Sequence, residues 1–275
     1  MIKKTDYSTE VKELEKGTVD YIPDVTDADK ISSIIQSKNK DLTLDSYNGD
    51  PTNWLYLNTA DGPCKDQAFR QALAYGIDRQ AYMDSYYKLD ESDEVMAYVP
   101  SSFGNLISKT CGSIVTRKEK LDGLNTYEYS PEKAEQLLDD AGWKVGSDGI
   151  REKDGERLSI RFLSIKEKDN MDSMIPILQK DWQEIEIELK ANTMEFNTIN
   201  STISDDNTLG DWDVGWIGFS NGSPEDTGMN DLLKSKAVDN FPRLSNLQLD
   251  ADLDAGTYTS NSEQSAQVFK QAMIV

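Results

Sequence analysis

From Asp66 onward the apolar or small positions Phe69, Ala72, Leu73, Gly76 and Ile77 fall at i, i+3, i+4, i+7 and i+8. That spacing gathers them on one helical face, and Asp66 stands where a capping side chain is needed; the pattern predicts a helix over 66–79. Upstream, Val11 and Leu14 mark a short helix within 8–17 that stops at Gly17, and Val19 to Ile22 reads as a strand ending at Pro23. Ile31, Ile34 and Ile35 recur at helical spacing behind Thr26 or Asp27, Leu42 and Leu44 alternate as in a strand, and Trp54 to Asn58 continues in extended form. Downstream, Ser130-Pro131-Glu132 supplies a cap, a proline at the first helical position and an acid in the first turn. Ala134, Leu137, Leu138 and Ala141 follow on one face, and Gly142 is the stop. Leu158, Ile160 and Phe162 alternate as a strand, Met174 to Trp182 reads as a helix across Pro176, and Ile185, Ile187 and Leu189 alternate again. Trp212 to Phe219 is a nearly unbroken apolar run, the mark of a strand covered on both faces. It empties into Ser220-Asn221-Gly222-Ser223-Pro224, a turn-forming loop. Helices and strands taking turns predict an α/β layer. Residues 88–124 break the pattern and read as a long loop.

Charge and composition narrow the function. Fifty acidic against twenty-nine basic side chains give a formal charge of -21 over 275 residues, a field that repels nucleic acid. No apolar run approaches the roughly 18 residues a membrane helix needs. The first thirty residues lack a basic start and apolar stretch, and both ends of the chain read as cut. The absence of histidine removes the commonest general base and the Ser-His and Cys-His arrangements. The spacing of Cys64 and Cys111 leaves open whether they are bonded. Ser130 and Lys133 have the Ser-x-x-Lys spacing of serine acyltransferases, but the cap explains the serine. Arg70, Asp78 and Arg79 read as structural ion pairing along one helix rather than as a catalytic set. The acids at 205–206 and at 250, 252 and 254 miss the calcium-loop pattern, with Trp216 and Asn261 where a glutamate belongs. Nothing here calls for a cofactor, a metal or catalysis.

Several blocks carry a resemblance. Leu57-Asn58-Thr59, then Phe69-Arg70-Gln71-Ala72-Leu73 with Ile77-Asp78-Arg79, Tyr129-Ser130-Pro131-Glu132-Lys133-Ala134 to Ala141-Gly142-Trp143, Asp148-Gly149-Ile150 and Gly210-Asp211-Trp212-Asp213 resemble, in order, the family 5 extracellular solute-binding proteins that serve ABC importers of peptides, nickel and related solutes. The resemblance implies a periplasmic-binding-protein-like (type II) lobe with a mixed sheet flanked by helices, and a solute held in the cleft between two lobes. It further implies residues 1–50 as a remnant of the first lobe and hinge approach, and 51–275 as the second lobe, truncated before its return to the first. Partners would be a peptide or another small solute and a membrane permease. The protein would be an extracytoplasmic monomer, periplasmic or lipid-anchored. In peptide-binding members the strand matching 212–219 leads into Gly-Trp and, three residues later, an Asp that pairs with the peptide amino terminus; here these positions read Gly218-Phe219 and Gly222. Because a buried ammonium needs a counter-charge, either Glu225 or Asp226 substitutes, or Asn221 meets a neutral group, or the ligand is not an ordinary free peptide. The expected ligand-binding set is Trp216, Phe219, Ser220, Asn221, Glu225 and Asp226, with Trp216 and Phe219 equally readable as core aromatics. Rival readings are a solute-sensing domain of a regulator or receptor, a non-peptide solute such as a nickel complex or sugar, and a hydrolase using Glu225 and Asp226.

Overall fold

The computed structural model describes residues 9–23, 25, 27–37, 39–45, 52–87, 110–166, 169–219 and 229–275. In chain order the elements are α1 (Glu10–Glu15), α2 (Ala28–Ser37), β1 (Thr52–Leu57), α3 (Gln67–Tyr75), α4 (Arg79–Tyr87), α5 (Gly112–Val115), α6 (Pro131–Asp140), β2 (Lys144–Val145), β3 (Arg151–Lys153), β4 (Glu156–Arg157) and β5 (Ser159–Ile165). They continue with α7 (Asp169–Glu184), β6 (Glu188–Met194), α8 (Phe196–Ser204), β7 (Val214–Phe219), α9 (Met229–Leu233), α10 (Leu247–Tyr258) and α11 (Ser262–Ala272). Contacts divide the chain into two units, Met1–Tyr47 with Gln80–Ala97, and Asn48–Arg79 with Tyr98–Val275.

In the first unit α1 and α2 are tied by Lys30 Nζ to Glu10 Oε1 at 3.0 Å. Asp27 caps α2 by accepting from Lys30 N at 2.9 Å. The strands expected at Val19–Ile22 and Leu42–Leu44 are absent: both stretches are irregular, with Tyr21 74% and Leu44 45% exposed. A lone extended segment leaves its backbone groups to water, and no described residue of this unit forms a strand to pair with them.

The second unit is built on a mixed four-stranded sheet in the order β1-β7-β5-β6. β7 runs antiparallel to β1 and parallel to β5, which is parallel to β6. Its interior place accounts for the apolar run: Trp212 and Val214 are fully buried, and Trp216 and Ile217 nearly so. α3 packs against α6 and, through Leu73 O, meets Trp182 of α7; it is capped as expected by Asp66, whose carboxylate accepts from Ala68 N at 2.9 Å. The helix ends at Tyr75 rather than running to 79. A Cβ on Gly76 would stand 2.7 Å from Ile185 Cδ1, so the chain turns where the connector after α7 comes close. Asp78 therefore lies between α3 and α4, its N–H donating to Asp181 Oδ2 at 2.9 Å, and does not share a helix with Arg70. α6 begins as predicted, Ser130 Oγ accepting from Lys133 N, and Gly142 takes φ 88° just past its end. Pro176 sits inside α7 without ending it. The alternation at Ile185, Ile187 and Leu189 is only partly a strand: β6 starts at Glu188, and Ile185 and Ile187, fully buried, plug the core in the connector before it.

A three-stranded meander, β2-β3-β4, flanks the sheet. Its second turn is Asp154-Gly155, with φ 54° and 83°, the left-handed pair that a two-residue hairpin requires. A second apolar cluster joins α5, α9, α10 and α11 through Ile114, Leu232, Leu253 and Phe269, and Trp54 of β1 packs on it. α5 lies inside the stretch expected to be loop.

Candidate functional site

β5, β6 and β7 run parallel, so their carboxyl ends, Ile165, Met194 and Phe219, lie along one edge of the sheet. In open α/β sheets ligands bind outside the carboxyl ends of the strands, which directs attention to the end of β7. Of the residues expected there, Trp216 is 8% exposed and stands opposite Leu55 of β1, well inside the sheet; it is a core aromatic. Phe219 is the last residue of β7, opposite Thr52. Ser220, Asn221, Glu225 and Asp226 lie outside the described residues.

The start of β7 is held by a polar clasp that reading along the chain did not anticipate. Asp213, 1% exposed, accepts from the backbone N of Arg161 at 2.7 Å, from its Nε at 2.9 Å and from its Nη2 at 2.7 Å. Arg161 Nη1 also donates to Gly210 O. The Asp213 bonds hold the Arg161 guanidinium above its ordinary range. Beside them Asn58, fully buried, donates to the carbonyls of Leu209 and Trp212 at 2.8 and 2.9 Å and accepts from Ala60 N and Asp61 N at 3.0 and 3.1 Å. Every polar atom of that amide is matched, as a buried amide requires. Burial, with Asp213 nearby, pushes the Cys64 thiol up. Cys64 and Cys111 form no disulfide.

Gly62 closes the clasp. It has φ 66° and ψ -163°, a region open essentially to glycine alone, and a Cβ there would stand 2.4 Å from Asp213 Oδ1. Gly62→Ala is expected to lower unfolding free energy by about 2–3 kcal/mol, measured by urea denaturation. A change within error would mean that this turn can relax away from Asp213.

Two hollows flank these residues. An apolar one of about 210 Å³ runs beside β1, lined by Trp54 to Leu57 with Leu232 and Leu244 among the residues opposite. A wider polar groove of about 750 Å³ lies between the 61–66 turn and the β3–β4 hairpin. Its cations are engaged: Lys65 with Asp61 at 3.3 Å, Arg157 with Asp148 at 2.6 Å, Arg161 with Asp213, and Lys153 over the Trp143 ring at 5.7 Å. The other sets considered from sequence also have structural partners. Lys133 donates to Tyr75 Oη at 2.5 Å, Asp205 accepts from Asn207 N, Asp250 accepts from Ser235 N, and Asp254 pairs with Lys234. Among the described residues, no group of three or more acidic or cysteine side chains is placed to hold a metal ion.

The fold, the clasp and the order of the sequence blocks point the same way as a match over residues 2–241 to the bacterial extracellular solute-binding proteins, family 5, middle region. The chain belongs to this family. Relatives among family 5 proteins include heme-binding protein A of Haemophilus influenzae, 27% identical over 98% of this chain and 45% of its own length. The nickel-binding periplasmic protein of Escherichia coli is 32% identical over 49% of the chain and 23% of its own length. Among solved structures, the oligopeptide-binding protein AppA of Bacillus subtilis, in complex with a nonapeptide, superposes with a TM-score of 0.77 at 22% identity, over 98% of this chain and 50% of AppA. The fold is therefore the periplasmic-binding-protein α/β fold. The chain spans about half the length of the curated relatives it matches. The clasp residues Asn58 and Asp213 sit in the sequence blocks that carried the family resemblance, and in this structure they secure the start of β7.

Proposed function

We propose that this chain is part of the solute-binding component of an ABC importer, which captures a peptide or another small solute outside the cytoplasm and presents it to a membrane permease without chemical change. Family membership over residues 2–241 is the observation that carries this reading. Residues 1–50 belong, on this reading, to the approach from a first lobe, and 51–275 to the second. β7 delivers Phe219 to the carboxyl edge of the sheet, and Ser220, Asn221, Glu225 and Asp226 follow directly in sequence; these, with Trp216 as the buried support of the strand, are the proposed ligand-contacting segment. An extended peptide recognised through its backbone, with roomy side-chain pockets, gives broad selectivity. Metal-complex solutes are a second reading, favoured by relatives named for heme and nickel. With no histidine in the chain, any such metal would have to arrive with ligands of its own or be held by oxygen or sulfur. No helix among the described residues is long and apolar enough to cross a membrane.

Thermal unfolding of the complete protein against a mixed peptide library, with nickel complexes, heme, sugars and amino acids as parallel sets, tests this. Ligand at a hundredfold over its Kd is expected to stabilise by about 2.7 kcal/mol, and Phe219→Ala should remove most of that shift while leaving unliganded stability within about 1 kcal/mol. A response to another solute set alone would move the ligand class. Silence from every set would remove the transport reading and leave solute sensing or interaction.

A further inference from the structure

Among the described residues two aspartates are buried, Asp213 and Asp181, each 1% exposed, and they are matched very differently. Asp213 faces a guanidinium and a backbone N–H. Asp181, on α7, accepts from the backbone N of Asp78 at 2.9 Å, and its other oxygen lies 3.5 Å from Lys180 Nζ. The Lys180 side chain is 76% exposed, so water screens most of that attraction. A carboxylate taken out of water with a single firm donor is costly while charged and much less so as the neutral acid. The Asp78 bond fixes residues 76–78, which join α3 to α4, against α7. The segment Asn48–Arg79 of the second unit ends one residue further on.

The groups around Asp181 favour its proton. Burial, with the Asp78 carboxylate adding to it, pushes the Asp181 carboxyl above its ordinary range, against the pull of the Asp78 N–H and of Lys180. Tyr129 stays neutral: burial, Asp181 and Glu184 push it up to about 12, and its hydroxyl donates to Glu184 Oε2 at 3.1 Å. Arg79, next after Asp78, donates to the carbonyls of Ala74, Thr126 and Tyr127. The neighbours that bear on Asp181 are thus two acids, a neutral phenol and one lysine in water. α7 has a second hold on this region, Trp182 Nε1 to Leu73 O at 3.3 Å, but that bond contains no titrating group. Only the Asp181 hold responds to pH.

We propose that Asp181 is a proton-operated fastening of the α3–α4 connector onto α7, firm when the carboxyl is neutral and weaker when it is ionised. It is independent of the transport reading and of which solute is bound. The open connector exposes the carboxyl to water, where it titrates near its ordinary value, whereas in the closed form it titrates higher. Closure is therefore at full strength below the ordinary value, weakens as pH rises toward the closed-form value, by at most about tenfold per pH unit, and levels off above it. Amide hydrogen exchange across residues 76–79 of the complete protein, expressed as protection relative to the intrinsic rate at each pH, tests this. Protection at Asp78 is expected to fall by about threefold to tenfold between about pH 4 and about pH 7.5, while amides of β5 and β6 do not follow. Asp181→Asn keeps the shape and an acceptor for Asp78 N but cannot ionise. Its protection should be flat with pH and at least as high as that of the parent at the acid end. A flat profile in the parent protein would overturn the proposal. So would a pH dependence that survives in the Asp181→Asn variant, which would assign it to Asp78 or Glu184, or one shared by β5 and β6, which would make it a property of the whole fold.

Discussion

Asp213→Ala is expected to lower the free energy of unfolding by about 3 kcal/mol, the lower end for breaking a buried ion pair. The carboxylate is 1% exposed, whereas the Arg161 side chain is 37% exposed, so water will recover part of what the guanidinium loses. The half-buried backbone N–H of Arg161, which bonds Asp213 Oδ2 at 2.7 Å, would also lose its partner at the junction of β5 and β7. Asp213→Asn keeps the shape and one acceptor oxygen and should lose about half as much. Urea denaturation followed by circular dichroism measures both. A loss under about 1 kcal/mol for the alanine variant would show that the clasp is held by Asn58 and Gly62 without it.

Trp182→Ala is expected to cost more, about 3–5 kcal/mol. The ring is fully buried, its Nε1 donates to Leu73 O at 3.3 Å, and a Cβ on Gly76 would lie 3.5 Å from its Cδ1. Removing it opens a void between α3 and α7, beside Leu73 and Gly76. Trp182→Phe fills most of that volume but leaves the Leu73 carbonyl unmatched, and should cost about 1–2 kcal/mol. The ratio of the two losses, read from denaturation midpoints at constant m, separates packing from hydrogen bonding; equal losses would mean that the hydrogen bond outweighs the packing.

Most of the second unit was legible because its signals are local. Asp66 and Ser130 cap the helices they precede, Gly142 stops one, and the run ending at Phe219 is apolar because β7 has a strand on either side. The errors share a cause, since periodicity records burial and only indirectly secondary structure. Ile185 and Ile187 alternate because both reach the core from a connector. Val19 to Ile22 and Leu42 to Leu44 alternate without strand partners among the described residues of their unit. The clasp was invisible for another reason: Asn58 meets Trp212 and Arg161 meets Asp213 only after the chain has folded back, and no local pattern marks such pairs. The resemblance had included Asn58 and Asp213 in its blocks, which was the available signal, but it could not say that they bond strands rather than solute. The expected ligand segment beyond Phe219 lies outside the described residues, so its tests rest with solute binding.

The pairing of β1 with β7 also has a schedule. Leu57 finds its partner in Val214 and Thr52 in Phe219, so the first strand of the sheet is synthesised long before the strand that covers its inner edge. At ordinary elongation rates the intervening chain takes on the order of ten to thirty seconds to make. Throughout that interval Trp54, Leu55, Tyr56 and Leu57 emerge as an apolar ribbon with neither side engaged, whereas β5 and β6, separated by a single helix, can pair soon after they appear. The nascent chain thus carries, for that interval, an apolar segment whose inner edge is covered only once β7 has been made.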